Sequence, residues 1–162
     1  NREWQLATVQ LDFHMPEAFD LKFVKNDGKF ERPVMIHRAI LGSFERYIGI
    51  LTEHYQGAFP TWLSPVQVAL LPITDGQMPY AKKVCEMLIK EDIRAIVDEK
   101  SQTLQAKIRQ ASLQKVPYLG IIGAKEVESE SISIRSRDGK DLGKLSLSDF
   151  IKKVKEEIDK KI

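Results

Sequence analysis

The sequence predicts an α/β fold in two parts, and three observations predict it. From residue 66 onward, short apolar runs alternate with stretches of helical periodicity, the pattern of a sheet with helices packed on it. Before residue 57, extended runs bracket an Asp-Gly pair, the mark of antiparallel pairing. Between them lies GAFPTWLSP (57–65), with two prolines and little periodicity, which marks a connection. The boundary is therefore placed there, dividing the chain into residues 1–60 and 61–162.

The elements follow in order. WQLATVQLDF (4–13) alternates in part and reads as a strand, although Gln5 and Gln10 have opposite parity and neither face is simply apolar. Asn26-Asp27-Gly28 predicts a tight turn between strands near 21–25 and 30–39. Gly42 breaks the pattern, and Ser43 is a good N-cap for a helix from Phe44 that Gly57 ends. Beyond the connection, the order is strand 66–73, helix 78–92, strand 93–98, helix 103–115, and strands 116–123 and 131–137. Asp138-Gly139 makes a turn, and a charged helix runs from Ser146 to Ile162. This order indicates a mixed, largely parallel sheet flanked by helices, which gathers ligands at the carboxyl ends of its strands.

Bulk properties narrow the function classes. Hydrophobic residues make up 43% and charged residues 30%, which is globular composition. The net charge of +2 does not by itself indicate nucleic-acid binding, so an RNA face must come from local clustering of Lys and Arg. Cys85 is the only cysteine, which excludes an internal disulfide and fits a reducing compartment. No apolar run approaches the roughly 18 residues of a membrane span. The start, Asn1-Arg2-Glu3-Trp4, lacks a methionine and reads as cut from a longer chain.

Several residues are candidates for chemistry. With Ser43 as the cap, Arg46 stands where a capping box would place Glu or Gln. A cation in the first turn opposes the helix dipole, and Glu45 offsets it only in part. The arrangement suits an external anion such as a phosphate, and a solvated arginine on an amphipathic helix is the plain alternative. His37, in an apolar strand, reads first as a structural histidine. As a metal ligand it lacks partners, because His14, His54 and Cys85 form no close-spaced set. Gln5 and Gln10 carry amides able to order a polar ligand. Lys100, Lys107, Arg109, Lys115, Lys125, Arg135 and Arg137 cluster in sequence, either to neutralise RNA phosphates or as an ordinary solvated face. Glu126 among them is placed to accept from base amino groups. No nucleophilic triad and no Gly-rich phosphate loop is readable.

The strings WQLATVQLDF, PVMIHRAILGSFERYIGILTEHYQGAFPTWLSPVQV and KVPYLGIIGAKEVESESISIRSRDGKDLG resemble the threonyl-tRNA synthetase family, across essentially the whole chain. The resemblance implies the last antiparallel strands and motif 3 helix of a class II catalytic domain, followed by an α/β anticodon-binding domain. It implies that Arg46 is the catalytic arginine contacting ATP, and that Gln5, Gln10 and Ser43 line the threonyl-adenylate pocket with it. It implies that His37 is one ligand of a zinc ion whose other ligands lie upstream. In the family that metal binds the amino and hydroxyl groups of threonine, giving the site polar partners that valine would leave unmet. Ser101, Arg109, Glu126 and Arg135 match positions that read anticodon bases. ATP with Mg2+, threonine and threonine tRNA are the implied substrates. A cytoplasmic homodimer is implied for the full-length enzyme, and no activity for this segment alone. The other reading is a non-catalytic tRNA-binding module or a synthetase-derived paralogue. Three positions depart from the family: Ala7 and Gln105 replace glycine, and Ser101 stands where relatives commonly have asparagine.

Overall fold

The computed structural model describes residues 3–162. The chain divides into two compact units, one ending at Glu53 and the other beginning at His54.

In the first unit, β1 (Thr8–Asp12) pairs antiparallel with β4 (Met35–Ala39). The expected strand over 4–13 is shorter than its alternation suggested, and Gln5 lies ahead of it. The expected hairpin is present but small: β2 (Phe23–Val24) pairs with β3 (Phe30–Glu31), and Gly28 turns between them at φ +81. The expected continuous strand over 30–39 is two strands. Arg32, Pro33 and Val34 separate β3 from β4, and Pro33 has no N–H to give a ladder. The short helix α1 (His14–Ala18) carries no readable periodicity in sequence. Asp12 starts it, its Oδ1 accepting from the amides of His14 and Met15 at 2.9 Å each. Helix α2 (Phe44–Tyr55) begins where Ser43 predicts, with Ser43 Oγ accepting from the Arg46 amide at 3.2 Å.

The second unit holds a mixed five-stranded sheet. Its strands are β5 (Val68–Pro72), β6 (Ala95–Val97), β7 (Tyr118–Ile122), β8 (Ser131–Ser136) and β9 (Asp141–Ser146), in the order β6-β5-β7-β8-β9. Pairing is parallel across β6, β5 and β7 and antiparallel from β7 to β9. Strand β9 and the short helix α5 (Ala124–Glu128) are additions to the sequence reading. Helices α3 (Met78–Lys90), α4 (Leu104–Leu113) and α6 (Leu147–Lys160) complete the unit, with Thr103 and Ser146 as side-chain N-caps of the last two.

Alternation along the strands splits the core between the two faces of the sheet. Val68, Leu70, Tyr118, Ile122, Ile132 and Ile134 pack with Val84, Leu88, Phe150 and Val154 from α3 and α6. Ala69, Leu71 and Leu119 face the other way, toward Ala111 and Ile108 of α4. Gly120 is needed where β7 crosses the first face: a Cβ there would lie 2.7 Å from Leu70 Cδ2 and 3.0 Å from Ile132 Cγ2.

The connection before β5 is pinned by side chains of this unit. Arg94 donates from Nε to the Ser64 carbonyl at 2.9 Å and from Nη2 to that of Trp62 at 2.8 Å. Gln67, fully buried, donates to the Thr61 carbonyl at 2.9 Å and accepts from the Arg94 amide. Arg137 donates to the Phe59 carbonyl at 2.6 Å. Residues read as a linker are thus part of the packed unit.

Candidate functional sites

In the first unit, pairing aligns Gln10 with His37 directly across the ladder. Asp12 shares their face, two residues along β1, and its Oδ2 lies 2.8 Å from His37 Nε2. That contact leaves His37 Nδ1 as the ring nitrogen open to a further partner. The amides of Met15 and His14 and the imidazole of His37 hold the Asp12 carboxyl below its ordinary range, with Met15 the largest contribution. Sequence reasoning missed the role of Asp12, whose only signal was its parity with Gln10. Gln10, Asp12, His14 and His37 line an open hollow together with Leu11 and Phe13.

The segment carrying Gln5 runs beside the turn that carries Ser43. A Cβ on Gly42 would sit 3.7 Å from the Leu6 carbonyl. Ser43 is engaged as the cap of α2, and Arg46 is exposed on its first turn. The opposite face of the β1–β4 pair is open to solvent and carries Val9 at 65%, Leu11 at 61% and Ile36 at 64% exposed, with Arg38 across from Val9. Among the described residues, no three His, Cys, Asp or Glu side chains gather as a metal site.

In the second unit, the expected base-reading residues lie on four separate elements. Ser101 is exposed in the loop that leaves the carboxyl end of β6. Arg109 is exposed on α4. Glu126 is in the first turn of α5, directly after β7. Arg135 is half-buried on β8, paired with Leu119, and its Nε donates to the Gly139 carbonyl at 3.1 Å. Leu119 faces α4, and Ile121 shares its parity, so their partners Arg135 and Ser133 belong to that same face of the sheet. Both residues stay half-buried there, whereas Ile132 and Ile134 on the other face are sealed.

Glu126 is held rather than free. Its Oε2 accepts from the Gly123 amide at 2.9 Å and its Oε1 from the Ser133 hydroxyl at 2.9 Å. Burial pushes the carboxyl up, but the Ser133 hydroxyl and the Gly123 amide outweigh it and hold Glu126 below the ordinary value. The group is therefore a fixed anion at neutral pH, with both oxygens engaged inside the unit. Ser133 was not singled out from the sequence, because its contact with Glu126 arises only when α5 folds back on β8.

A separate cavity of about 550 Å3 lies elsewhere in this unit, lined in part by Tyr55, Thr61, Tyr118, Arg137 and Glu157. Glu157 accepts from the Tyr118 hydroxyl, from Thr61 Oγ1 at 2.9 Å and from Lys153 Nζ at 3.1 Å. Burial raises Glu157, but these three donors outweigh it and keep the carboxyl below its ordinary value. Burial, then the Glu157 carboxylate, push the Tyr118 phenol well above its ordinary range. The Glu157 carboxylate, the Tyr118 and Thr61 hydroxyls and the Arg137 guanidinium all have partners within the protein, which marks a structural network. Among the described residues, no helix is long and apolar enough to cross a membrane.

Comparison with known proteins gives these sites a context. Residues 67–157 match the family described as "Anticodon binding domain", and residues 1–55 match "tRNA synthetase class II core domain (G, H, P, S and T)". The chain is 56% identical over 160 residues to a threonine–tRNA ligase of Clostridium botulinum strain Hall, covering 99% of this chain and 25% of that protein. It is 54% identical over 157 residues to the threonine–tRNA ligase of Caldanaerobacter subterraneus subsp. tengcongensis, covering 97% of this chain and 24% of that protein. The chain thus spans about a quarter of the length of these relatives. Among solved structures, the RNA binding domain of threonyl-tRNA synthetase from Cryptosporidium parvum Iowa II superposes with a TM-score of 0.86 at 36% identity. That match covers 96% of this chain and 40% of the other.

Proposed function

The chain belongs to the anticodon binding domain family, and we propose that it works as part of a threonine–tRNA ligase, supplying one portion of the catalytic site and the reading of the anticodon. The observation that carries this reading is the joining, on one chain, of a class II core segment and an anticodon domain, both within a match to threonine–tRNA ligases.

The full enzyme converts threonine and ATP to the threonyl-adenylate with release of pyrophosphate and transfers the threonyl group to threonine tRNA with release of AMP, working as a homodimer in the cytoplasm. The exposed side chains of Val9, Leu11 and Ile36 fit a face that packs against further elements of a larger catalytic domain. Gln10 and Gln5 order the threonyl-adenylate through their amides. Ser43 sets the start of α2, and Arg46 offers its exposed guanidinium to the ATP phosphates, whose Mg2+ the substrate brings.

A zinc ion is the cofactor this family implies, and the residues present fit one corner of its site. His37 has one nitrogen held by Asp12 and the other open, the arrangement in which a carboxylate orients a metal-ligating imidazole. Zinc takes three protein ligands in a catalytic site, so the remaining ligands come from other parts of the protein. When bound, the metal supplies a Lewis acid that takes up the amino and hydroxyl groups of threonine. This segment by itself does not activate threonine.

In the second unit, Arg109, Arg135 and Ser101 donate to base edges while the fixed Glu126 carboxylate accepts from amino groups. The test is fluorescence anisotropy of this chain with threonine tRNA and with the same tRNA bearing a changed anticodon, at one fixed salt concentration. Preference for the native anticodon is expected. Equal affinity for the two would refute base reading by these residues.

A further inference from the structure

Lys107 is 4% exposed, yet among the described residues no carboxylate pairs with it. Its Nζ donates instead to two carbonyls, that of Pro72 at 3.1 Å and that of Asp98 at 3.2 Å. An interior ammonium ordinarily requires an anion beside it. Here it is met by two dipoles, so its charge is solvated but not cancelled.

The place of those carbonyls gives the charge a use. Pro72 ends β5 and Asp98 follows β6, so Lys107 sits at the carboxyl ends of two parallel strands. Ligands of such sheets gather at that edge. Asp98, Glu99 and Glu126 follow the strand ends in sequence, as do Lys100 and Lys125, and Lys82 pairs with Glu99 at 2.8 Å. An edge of mixed charge receives a polyanion best where a cation is fixed in it. Lys107 is a cation of that kind: it cannot swing away, because α4 carries it and two carbonyls hold it. The same bonds fix the start of the loop that bears Ser101. Asp98 is its first residue, and Asp98 Oδ1 accepts from the Lys100 amide at 2.9 Å.

We propose that Lys107 is a positioning residue for single-stranded RNA at this edge. Its buried charge offsets the local carboxylates and carbonyls, and its hydrogen bonds set the loop that carries Ser101. The proposal rests on the reading of this unit as an anticodon domain.

Three variants of the full chain separate charge from hydrogen bonding. Lys107→Gln keeps a donor without the charge, Lys107→Met removes both, and Lys107→Arg keeps the charge. Each is checked for folding by circular dichroism. Each is then titrated against the anticodon stem-loop of threonine tRNA, and against one with a changed anticodon, over a range of salt. Lys107→Gln is expected to bind roughly tenfold more weakly at low salt. Its slope of affinity against salt stays that of the parent, since a buried ammonium touches no phosphate. Lys107→Arg retains more affinity than Lys107→Gln, and Lys107→Met also loses preference for the native anticodon. Parental affinity in Lys107→Gln overturns the proposal. So does a slope reduced by about one unit, which would make Lys107 a direct phosphate contact. Should Lys107→Met not fold, the comparison of Gln with Arg still decides. Equal binding of both stem-loops by the parent chain counts against the anticodon reading alone, and the affinity of Lys107→Gln continues to judge Lys107.

Discussion

Replacing Glu157 by alanine removes the group on which three elements converge. Its carboxylate takes the Tyr118 hydroxyl of the central strand, the Thr61 hydroxyl of the connection, and Lys153 of its own helix. Each neutral donor to a charged acceptor contributes about 1.5–3 kcal/mol when well buried. The Glu157 side chain is 20% exposed, which places both bonds near the lower end. Lys153 is 42% exposed and adds little. The adjoining cavity lets water reach the orphaned hydroxyls and recovers part of the loss. The net cost is about 2–3 kcal/mol, or roughly 10 °C in Tm for a unit of this size. Urea unfolding followed by far-UV circular dichroism and tryptophan fluorescence measures it. Tyr118→Phe removes one of the same bonds, so the double variant should cost about 1–2 kcal/mol less than the sum of the singles. A Glu157→Ala protein within about 0.5 kcal/mol of the parent, or strict additivity with Tyr118→Phe, would refute the argument.

The same carboxyl sets an acid limit. Glu157 and Glu126 are both held below their ordinary value of 4.5, so their contribution is fully present above about pH 4.5 and is lost as pH falls through the depressed values. Unfolding midpoints in urea should fall on acidification below that point, and Glu157→Gln should flatten the dependence; an unchanged profile in that variant contradicts the assignment. Gly120→Ala drives a methyl group to 2.7 Å from Leu70 Cδ2 and is expected to cost about 1–3 kcal/mol, relieved in part by Leu70→Ala; neutrality at this position would mean the strands part more easily than their packing implies. A chain beginning at residue 66 should be less stable to urea than one beginning at 54, because Arg94, Gln67, Arg137 and Glu157 all lose partners on residues 59–64; equal midpoints would show the connection to be a passive linker. Arg109→Ala and Arg135→Ala should each weaken preference for the native anticodon by about 1–3 kcal/mol in the anisotropy assay, whereas a uniform loss for all anticodons would assign them to phosphate.

The elements most readable in sequence were those whose local signals agree. Val68 to Pro72 is apolar without a break and became a sealed interior strand, and Ser43 caps the helix that follows it. Strand β9 escaped notice because Gly143, at φ +78, and the irregular register at Ile134 and Arg135 obscure its alternation. The run over 30–39 looked continuous because its residues favour extended backbone on both sides of Pro33. The pairing partner differs on the two sides, and a partner is not a local property. Helices α1 and α5, five residues each, are too short to display a period.

By itself the sequence determined the α/β class, the turns and the Ser43 cap, and it nominated the candidate residues, since these depend on side-chain type and on neighbours a few positions away. Only the tertiary structure decided which candidates meet. Gln10 stands opposite His37 because of a ladder joining segments 27 residues apart. Asp12 orients that ring, Ser133 holds Glu126, and Lys107 lies under the carboxyl ends of β5 and β6. Registers and helix–sheet contacts are set by burial across the whole domain, and no window of the chain contains the information that fixes them.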